Sequence, residues 1–178
     1  MRNDEIASAY VKGRYRVRVK NPPGNIVWIA SSGWAGEARR SVRVEVDSVL
    51  TGRPPGPEAY GVLCMTEDGR GYFFGIGPPE QSWTIEKAHA KRLSLLAEGS
   101  GESAIRQRVN HIGGECRAGR KATRLRFFVN GRVVRAYRDP KGFRNFRRVG
   151  IAVFAPDGGL EVMFDNVKAT ELRAPGSG

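Results

Sequence analysis

Apolar and polar residues alternate one by one along much of this chain. Tyr15, Val17 and Val19 interleave with Arg14, Arg16 and Arg18, and Val42, Val44 and Val46 interleave with Arg43, Glu45 and Asp47. A period of two is the side-chain repeat of a β-strand. Over this length it predicts half-buried strands of antiparallel sheet, with the valines inward and the charges outward. Further strands follow, joined by turns. YGVLCMT (60–66) and GYFFGI (71–76) flank EDGR, and GYFFGI leads through GPPEQ to SWTIEKA (82–88). ATRLRFFV (122–129) and RVVRAY (132–137) are separated by Asn130-Gly131 alone. That dipeptide suits a two-residue hairpin, because both turn positions need positive φ. VGIAVFA (149–155) and LEVMFDNVKATEL (160–172) flank PDGG and read as one more strand–turn–strand unit.

Helical periodicity is scarce. AKRLSLLAEG (90–99) fits either a short helix or a strand followed by a loop. There is no βαβ alternation, no heptad and no repeat of 20–50 residues. Many short antiparallel strands must bury their apolar faces against one another, so the expected fold is an all-β, antiparallel two-sheet β-sandwich or jelly roll. The 178 residues suit one domain, and 23 glycines and 10 prolines supply its turns. Residues 13–172 are expected to form the sandwich, with 1–12 an N-terminal extension and 173–178 a linker or tag remnant.

Composition changes this picture in two respects. No stretch approaches the ~18 uninterrupted apolar residues of a membrane helix, and MRNDEIASAYVKG lacks the apolar core of a secretion signal. The initial Met therefore reads as the start of a domain cut from a longer protein. A net charge of +12 and a pI near 10.4 raise a polyanion as partner. The charges are interleaved with acids rather than gathered in a block, which favours a basic, solvated surface, and no specific nucleic acid is expected.

Several chemistries are missing. The sequence has no HExxH, no GxSxG and only two histidines, His89 and His111. GECRAGRK (114–121) has the glycine spacing of a phosphate loop, but Arg120 and Lys121 stand where Lys and a hydroxyl residue are required. EVDSVL (45–50) approaches the E-x-D-x-x-E strand of sandwich glucanases, in which alternate carboxylates share a face. Leu50 occupies the last position, so Glu45 and Asp47 read as the solvent face of a strand. His111, Cys116 and Cys64 could supply three zinc ligands if they converged, but a fourth ligand and paired spacing are lacking. Cys64 and Cys116 fit one disulfide or two buried thiols, and count alone does not separate these.

The order and spacing of GRYRVRV (13–19), Trp28, VRVEVD (42–47), YGVLC (60–64) and YFFGI (72–76) carry a resemblance, continued by Asn110, Cys116, FFVNGRVV (127–134), VGIAV (149–153) and FDNVKA (164–169). Over about residues 13–172 the chain resembles the concanavalin A-like, laminin-G/glucanase-type jelly rolls of bacterial, and in particular actinobacterial, extracellular proteins. The resemblance implies that Cys64 and Cys116 face each other across adjoining strands as a disulfide, that Asn130-Gly131 is a tight hairpin, and that Asp165-Asn166 lies in the closing strand. It implies an extracellular or cell-surface setting, with attachment to a larger membrane-anchored protein. The loop RDPKGFRNFRR (138–148) departs from the family pattern in length and charge.

Fold does not settle function, because this sandwich hosts lectins, hydrolases, sugar-binding modules and adhesive domains. Sugars stack on exposed aromatics, which makes Trp34 in SSGWAGEA the first candidate for a binding residue. Trp83, beside a hairpin turn, and Tyr72, on a strand, follow it; Trp28 inside IVWI reads as core. Arg144, Arg147 and Arg148 beside Phe143 and Phe146 form the one local basic–aromatic cluster, suited to an anionic polymer. The plainer reading has the phenylalanines plugging the sandwich end. Asp165-Asn166 could be a calcium ligand pair, but two adjacent residues do not make a site of about six to eight oxygens and capping of strand-end backbone accounts for them better; no metal or cofactor is expected. The function expected is a non-catalytic extracellular binding or sensor domain for a glycan or anionic cell-wall polymer. The alternatives are a glycoside-active enzyme of this fold or an adhesive module with protein partners.

Overall fold

The computed structural model describes residues 6–20, 27–33, 40–52, 58–89 and 92–172. They form thirteen strands and one short 3-10 turn, with no α-helix among the described residues. The strands are β1 (Ile6–Val11), β2 (Arg14–Val19), β3 (Val27–Gly33), β4 (Ser41–Leu50), β5 (Ala59–Thr66), β6 (Gly71–Gly77) and β7 (Ser82–His89). They continue as β8 (Arg92–Gly99), β9 (Val109–Ala118), β10 (Thr123–Val129), β11 (Arg132–Asp139), β12 (Phe146–Phe154) and β13 (Leu160–Glu171). A seven-stranded sheet runs β1-β2-β13-β4-β9-β10-β11 and a six-stranded sheet runs β3-β12-β5-β6-β7-β8. Every pairing is antiparallel. The fold is an all-β, two-sheet sandwich of the jelly-roll type.

Period-two strands build the seven-stranded sheet as the pattern predicts. Val17, Val42, Val44, Val46, Ile112, Leu125, Phe127 and Val162 are buried on its inner face. Tyr60, Val62, Phe74, Ile76, Ile85 and Ile151 meet them from the other sheet, with Phe74 and Phe127 rings 5.7 Å apart and Tyr60 and Phe164 6.0 Å apart. Gly114 lies beneath the Phe74 ring, where a Cβ would come within 2.3 Å of it.

The central strands of the other sheet, β5 and β6, carry continuous apolar runs rather than alternation, and they are buried on both faces. Leu63, Met65, Phe73 and Ala152 form a second, smaller apolar cluster on the outer side of this sheet, closed to solvent as well.

Three expectations change. VGIAVFA and LEVMFDN do not form a hairpin: β12 belongs to the six-stranded sheet and β13 to the seven-stranded one. The PDGG segment, with Gly158 and Gly159 at positive φ, carries the chain from one sheet to the other. A turn motif sets the local bend but not which sheet receives the next strand. The boundary at residue 13 also moves back, because Ile6–Val11 pairs along β2; residues 173–178 lie outside the described residues.

The third change concerns the cysteines. Cys64 on β5 and Cys116 on β9 lie on facing sheets, not on adjoining strands, and both are buried free thiols. Burial, and then the hydrogen bond with Cys64, push the Cys116 thiol well above its ordinary value. The segment 90–99 resolves as strand β8 from Arg92 onward.

Candidate functional site

The outer face of the seven-stranded sheet gathers polar side chains into one network. On β4 the buried valines and Ser48 turn Arg43, Glu45 and Asp47 outward. On β9, burial of Asn110 and Ile112 turns His111 outward beside them. The imidazole bridges the two acids: Nδ1 lies 2.7 Å from Asp47 Oδ1 and Nε2 lies 3.2 Å from Glu45 Oε1. Arg43 Nη2 donates to Glu45 at 2.8 Å, and Asn166 Nδ2 donates to Asp47 Oδ2 at 2.7 Å.

Asn166 reaches Asp47 because β13 bulges there. Asp165 pairs with Asp47 and Lys168 with Glu45, so β13 carries one residue more than β4 over this stretch. Asn166 sits at φ +53, the left-handed conformation that Asn tolerates better than most side chains. A bulge of this kind re-aims side chains on a sheet surface.

Two asparagines hold the neighbouring loop. Buried Asn110 accepts from Arg106 N at 2.8 Å and donates back to Arg106 O at 2.7 Å. Asn130, in the hairpin with Gly131, donates to Ala104 O at 2.7 Å and to Asn110 Oδ1 at 2.9 Å, and accepts from His111 N at 2.9 Å. Asn130 and Gly131 both have positive φ, 50° and 81°, as the hairpin turn requires.

These elements enclose a pocket of about 390 Å³ lined by Arg14, Asp47, Asn130, His111 and Asn166 among its polar groups, with Val49, Val109 and Met163 as apolar wall. It offers carboxylate acceptors and amide, guanidinium and imidazole donors in one open cleft.

Burial works to raise Glu45, but hydrogen bonds from His111 and Arg43 outweigh it and hold the carboxyl below its ordinary value. Hydrogen bonds from Asn166 and His111 lower Asp47. Burial opposes protonation of His111, while its bonds to Asp47 and then Glu45 raise its pKa. Protonated, both ring nitrogens donate; neutral, one nitrogen turns a lone pair toward a carboxylate. Hydrolysis of a glycosidic bond needs one carboxyl kept protonated as acid, and this pair supplies none.

The residues expected to bind ligand are differently placed. Trp34 and the side chain of Trp28 lie outside the described residues. Tyr72 is fully buried, its hydroxyl donating to Asp139 at 2.8 Å and accepting from Phe143 N at 3.0 Å. Its inward register on β6 makes it core rather than a ligand platform. Trp83 also points inward, packed edge-on to Phe127 at 6.5 Å and over Gly99, so its indole closes the sandwich edge.

Phe143 and Phe146 are buried against Tyr72, and the arginines around them face water. Arg144 donates to Arg120 O at 2.6 Å, Arg147 lies 3.5 Å from Glu67, and Arg148 is exposed. The phenylalanines plug this end of the sandwich, in keeping with the plainer reading.

His111 points outward while Cys64 and Cys116 point into the core, so these three do not converge on a metal, and no group of metal-binding side chains occurs among the described residues. Asp165 Oδ1 accepts from Asn166 N at 2.8 Å, a local cap.

Sequence pattern picks out most members of this network singly and misses their union. It presents Glu45 and Asp47 as the solvent face of a failed catalytic strand, His111 as a histidine short of a zinc set and Asp165-Asn166 as a cap. The outward phase shared by β4 and β9 is the one available signal that these groups lie on one face.

No protein-family model matches the chain, and no curated protein matches it. Solved structures do. A carbohydrate binding module, CBM66, from Bacillus subtilis superposes with a TM-score of 0.62 at 15% identity, over 92% of this chain and 91% of that one. The carbohydrate recognition domain of Emp46p, in a potassium-bound form, superposes with a TM-score of 0.59 at 11% identity, over 95% and 88%. A bifunctional GH43-CE protein of Bacteroides eggerthii matches at 0.58 and 12% identity, over 92% of this chain and 23% of that protein. At these identities the likeness shows the fold.

Proposed function

We propose that this chain is a non-catalytic, extracellular glycan-binding domain whose ligand docks in the Asp47–His111–Asn166 pocket. The observation that carries this reading is the pocket's make-up: donors and acceptors tied to one another by hydrogen bonds among Asp47, His111 and Asn166, around a sugar-sized opening beside a short apolar wall. Such pre-oriented polar groups suit hydroxyl-rich ligands, since binding costs little side-chain ordering. Two of the structural relatives named above, a carbohydrate binding module and a carbohydrate recognition domain, support the reading. Trp34 remains an expected stacking residue, and Arg144, Arg147 and Arg148 an expected electrostatic rim.

The test is calorimetric titration of the whole chain with neutral oligosaccharides at about 50 mM and 500 mM salt, a range that screens charge attraction but not hydrogen bonding. Binding that survives salt and is lost in Asp47→Asn and His111→Ala is expected. Binding unchanged in both variants would remove this pocket as the site. Placement outside the cell has its own test. Protease added to intact source cells is expected to digest the domain, and protection until the cells are lysed would count against that setting.

One observation favours an enzyme as second reading. On the outer side of the six-stranded sheet a cavity of about 330 Å³ is lined by Glu58, Glu86 and Glu98. Burial, and then the charge of Glu80, push Glu58 up to about 8. Burial also raises Glu86, with the charge of Glu98 adding to it against a hydrogen bond from Thr84. One carboxyl kept protonated in a cleft beside a second carboxyl is what glycoside chemistry requires, and Glu58 is the candidate acid. Release of reducing ends from a bound oligosaccharide, abolished by Glu58→Gln, would establish this reading.

A further inference from the structure

Beyond the polar pocket, the same sheet face carries a second depression, and its register is unusual. Arg124 on β10 stands directly opposite Arg117 on β9 and directly opposite Arg138 on β11. Three guanidinium side chains thus lie in one cross-strand row, and Arg126 begins the next, opposite Glu115. Like charges directly opposite one another destabilise a sheet. Glu115, itself buried, accepts from Arg117 Nε and relieves that end of the row. Among the described residues no carboxylate pairs with Arg124, Arg126 or Arg138. The row opens into a concavity of about 500 Å³ that Ala136 and Glu115 also line.

We propose that the Arg117–Arg124–Arg138 row is an anion subsite that takes acidic substituents (carboxylate, sulfate or phosphate ester) of the polymer bound in the Asp47–His111–Asn166 pocket. The inference rests on the glycan reading of that pocket. Guanidinium forks bind such groups with two parallel hydrogen bonds each, and an arriving anion cancels the repulsion within the row.

The two sites share a face. His111 and Arg117 both project outward from β9, six residues apart, which is about 20 Å along a strand, so one extended chain spans them. Arg43 lies between, donating to Glu45 and stacked 4.5 Å over Phe128, which shares the Glu45–Gly113 row.

Nucleic acid fits this surface less well, because base stacking needs open aromatic faces. Phe128 is 8% exposed, covered by Arg43 and Arg126, and Tyr137 packs against the core.

The experiment titrates the full chain with three anionic hexamers: a galacturonate, a sulfated hexosamine–uronate and a glycerol-phosphate oligomer. The carboxyl-reduced, neutral form of the galacturonate and a single-stranded DNA hexamer serve as comparisons. At least one anionic hexamer is expected to bind about tenfold or more tightly than the neutral form. In Arg124→Ser/Arg138→Ser that advantage disappears, and the slope of log affinity against log salt falls by about 1–2. The neutral ligand is unaffected, and the melting temperature does not drop, since removing two opposed charges relieves the sheet.

Equal binding of neutral and anionic forms, or an anionic advantage intact in the double variant, would overturn the proposal. So would no binding by any of the three, or tighter binding of the DNA with the same loss. Asp47→Asn separates the two sites: if it leaves neutral binding unchanged the pocket reading falls, while the fate of the arginine row is still read from the anionic advantage.

Discussion

The two outer faces of this sandwich treat carboxylates in opposite ways. On the seven-stranded sheet Glu45 and Asp47 sit among an imidazole, an amide and a guanidinium that donate to them, and both stay ionised below their ordinary values. On the six-stranded sheet Glu58 is 6% exposed, neither of its oxygens has a partner, and the group is pushed up to about 8. Glu86, across from Phe73 on the neighbouring strand, shifts the same way. Residue type is the same on both faces. What differs is the surrounding surface: a solvated charged row on one side, a closed apolar cluster on the other. A carboxylate stays an acceptor where several fixed donors outweigh its burial and is pushed toward the acid where burial outweighs them.

The largest effect that would sharpen this contrast is on stability. Phe73→Ala, on the closed outer face, should cost about 3–5 kcal/mol, as a core truncation does. Phe128→Ala, on the charged outer face, should cost about 1–2 kcal/mol, because its cover is two guanidiniums rather than packed apolar side chains. Chemical denaturation of both variants measures the gap, and equal costs would erase the distinction between the faces.

Next comes pH. Glu58 has a folded pKa raised above its unfolded value, so the fold favours its neutral form. Its contribution is fully present below about pH 4.5 and is lost as pH rises toward 8. The decline should be on the order of 2–4 kcal/mol, because each tenfold change in proton affinity is worth about 1.4 kcal/mol. Denaturation midpoints from pH 5 to 8 should therefore fall in the wild type and flatten in Glu58→Gln.

His111 has the same sign for a different reason. Its pKa is raised by the acids it bridges, so its stabilising protonation is present below about 6.5 and fades as pH passes its folded value. Asp47→Asn should return the imidazole toward its ordinary value, and nuclear magnetic resonance titration of the ring would show it. No movement would mean the bridge is not formed in solution. The smallest effect is expected at Arg147, whose pairing with Glu67 is exposed. Arg147→Ala should change stability by less than about 0.5 kcal/mol.

Much of the architecture is legible from local pattern. Alternation places Val17, Val42, Val44 and Val46 inward, and Asn130-Gly131 names its own turn. The unbroken apolar runs of β5 and β6 already differ from the alternating strands, and that difference separates the two sheets. The PDGG link misleads, because a turn motif carries no information about which sheet takes the following strand.

The candidate site is less visible. Glu45 and Asp47 draw notice as a pair, yet His111 is more than sixty residues away in sequence, and Asn166 depends on a bulge that no local motif announces. Tyr72 and Trp83 look like binding residues because strand phase alone does not say which face is wet. Strand existence, apolar phase and turn geometry follow from neighbours within a few residues, where sterics and side-chain alternation act, and these the sequence determined by itself. Which strands pair, which outward groups meet, and whether a carboxylate ends among donors or against a phenyl ring depend on contacts between distant segments. Those the tertiary structure alone decided, because hydrogen bonding and desolvation act through space at a few ångströms, whatever the separation along the chain.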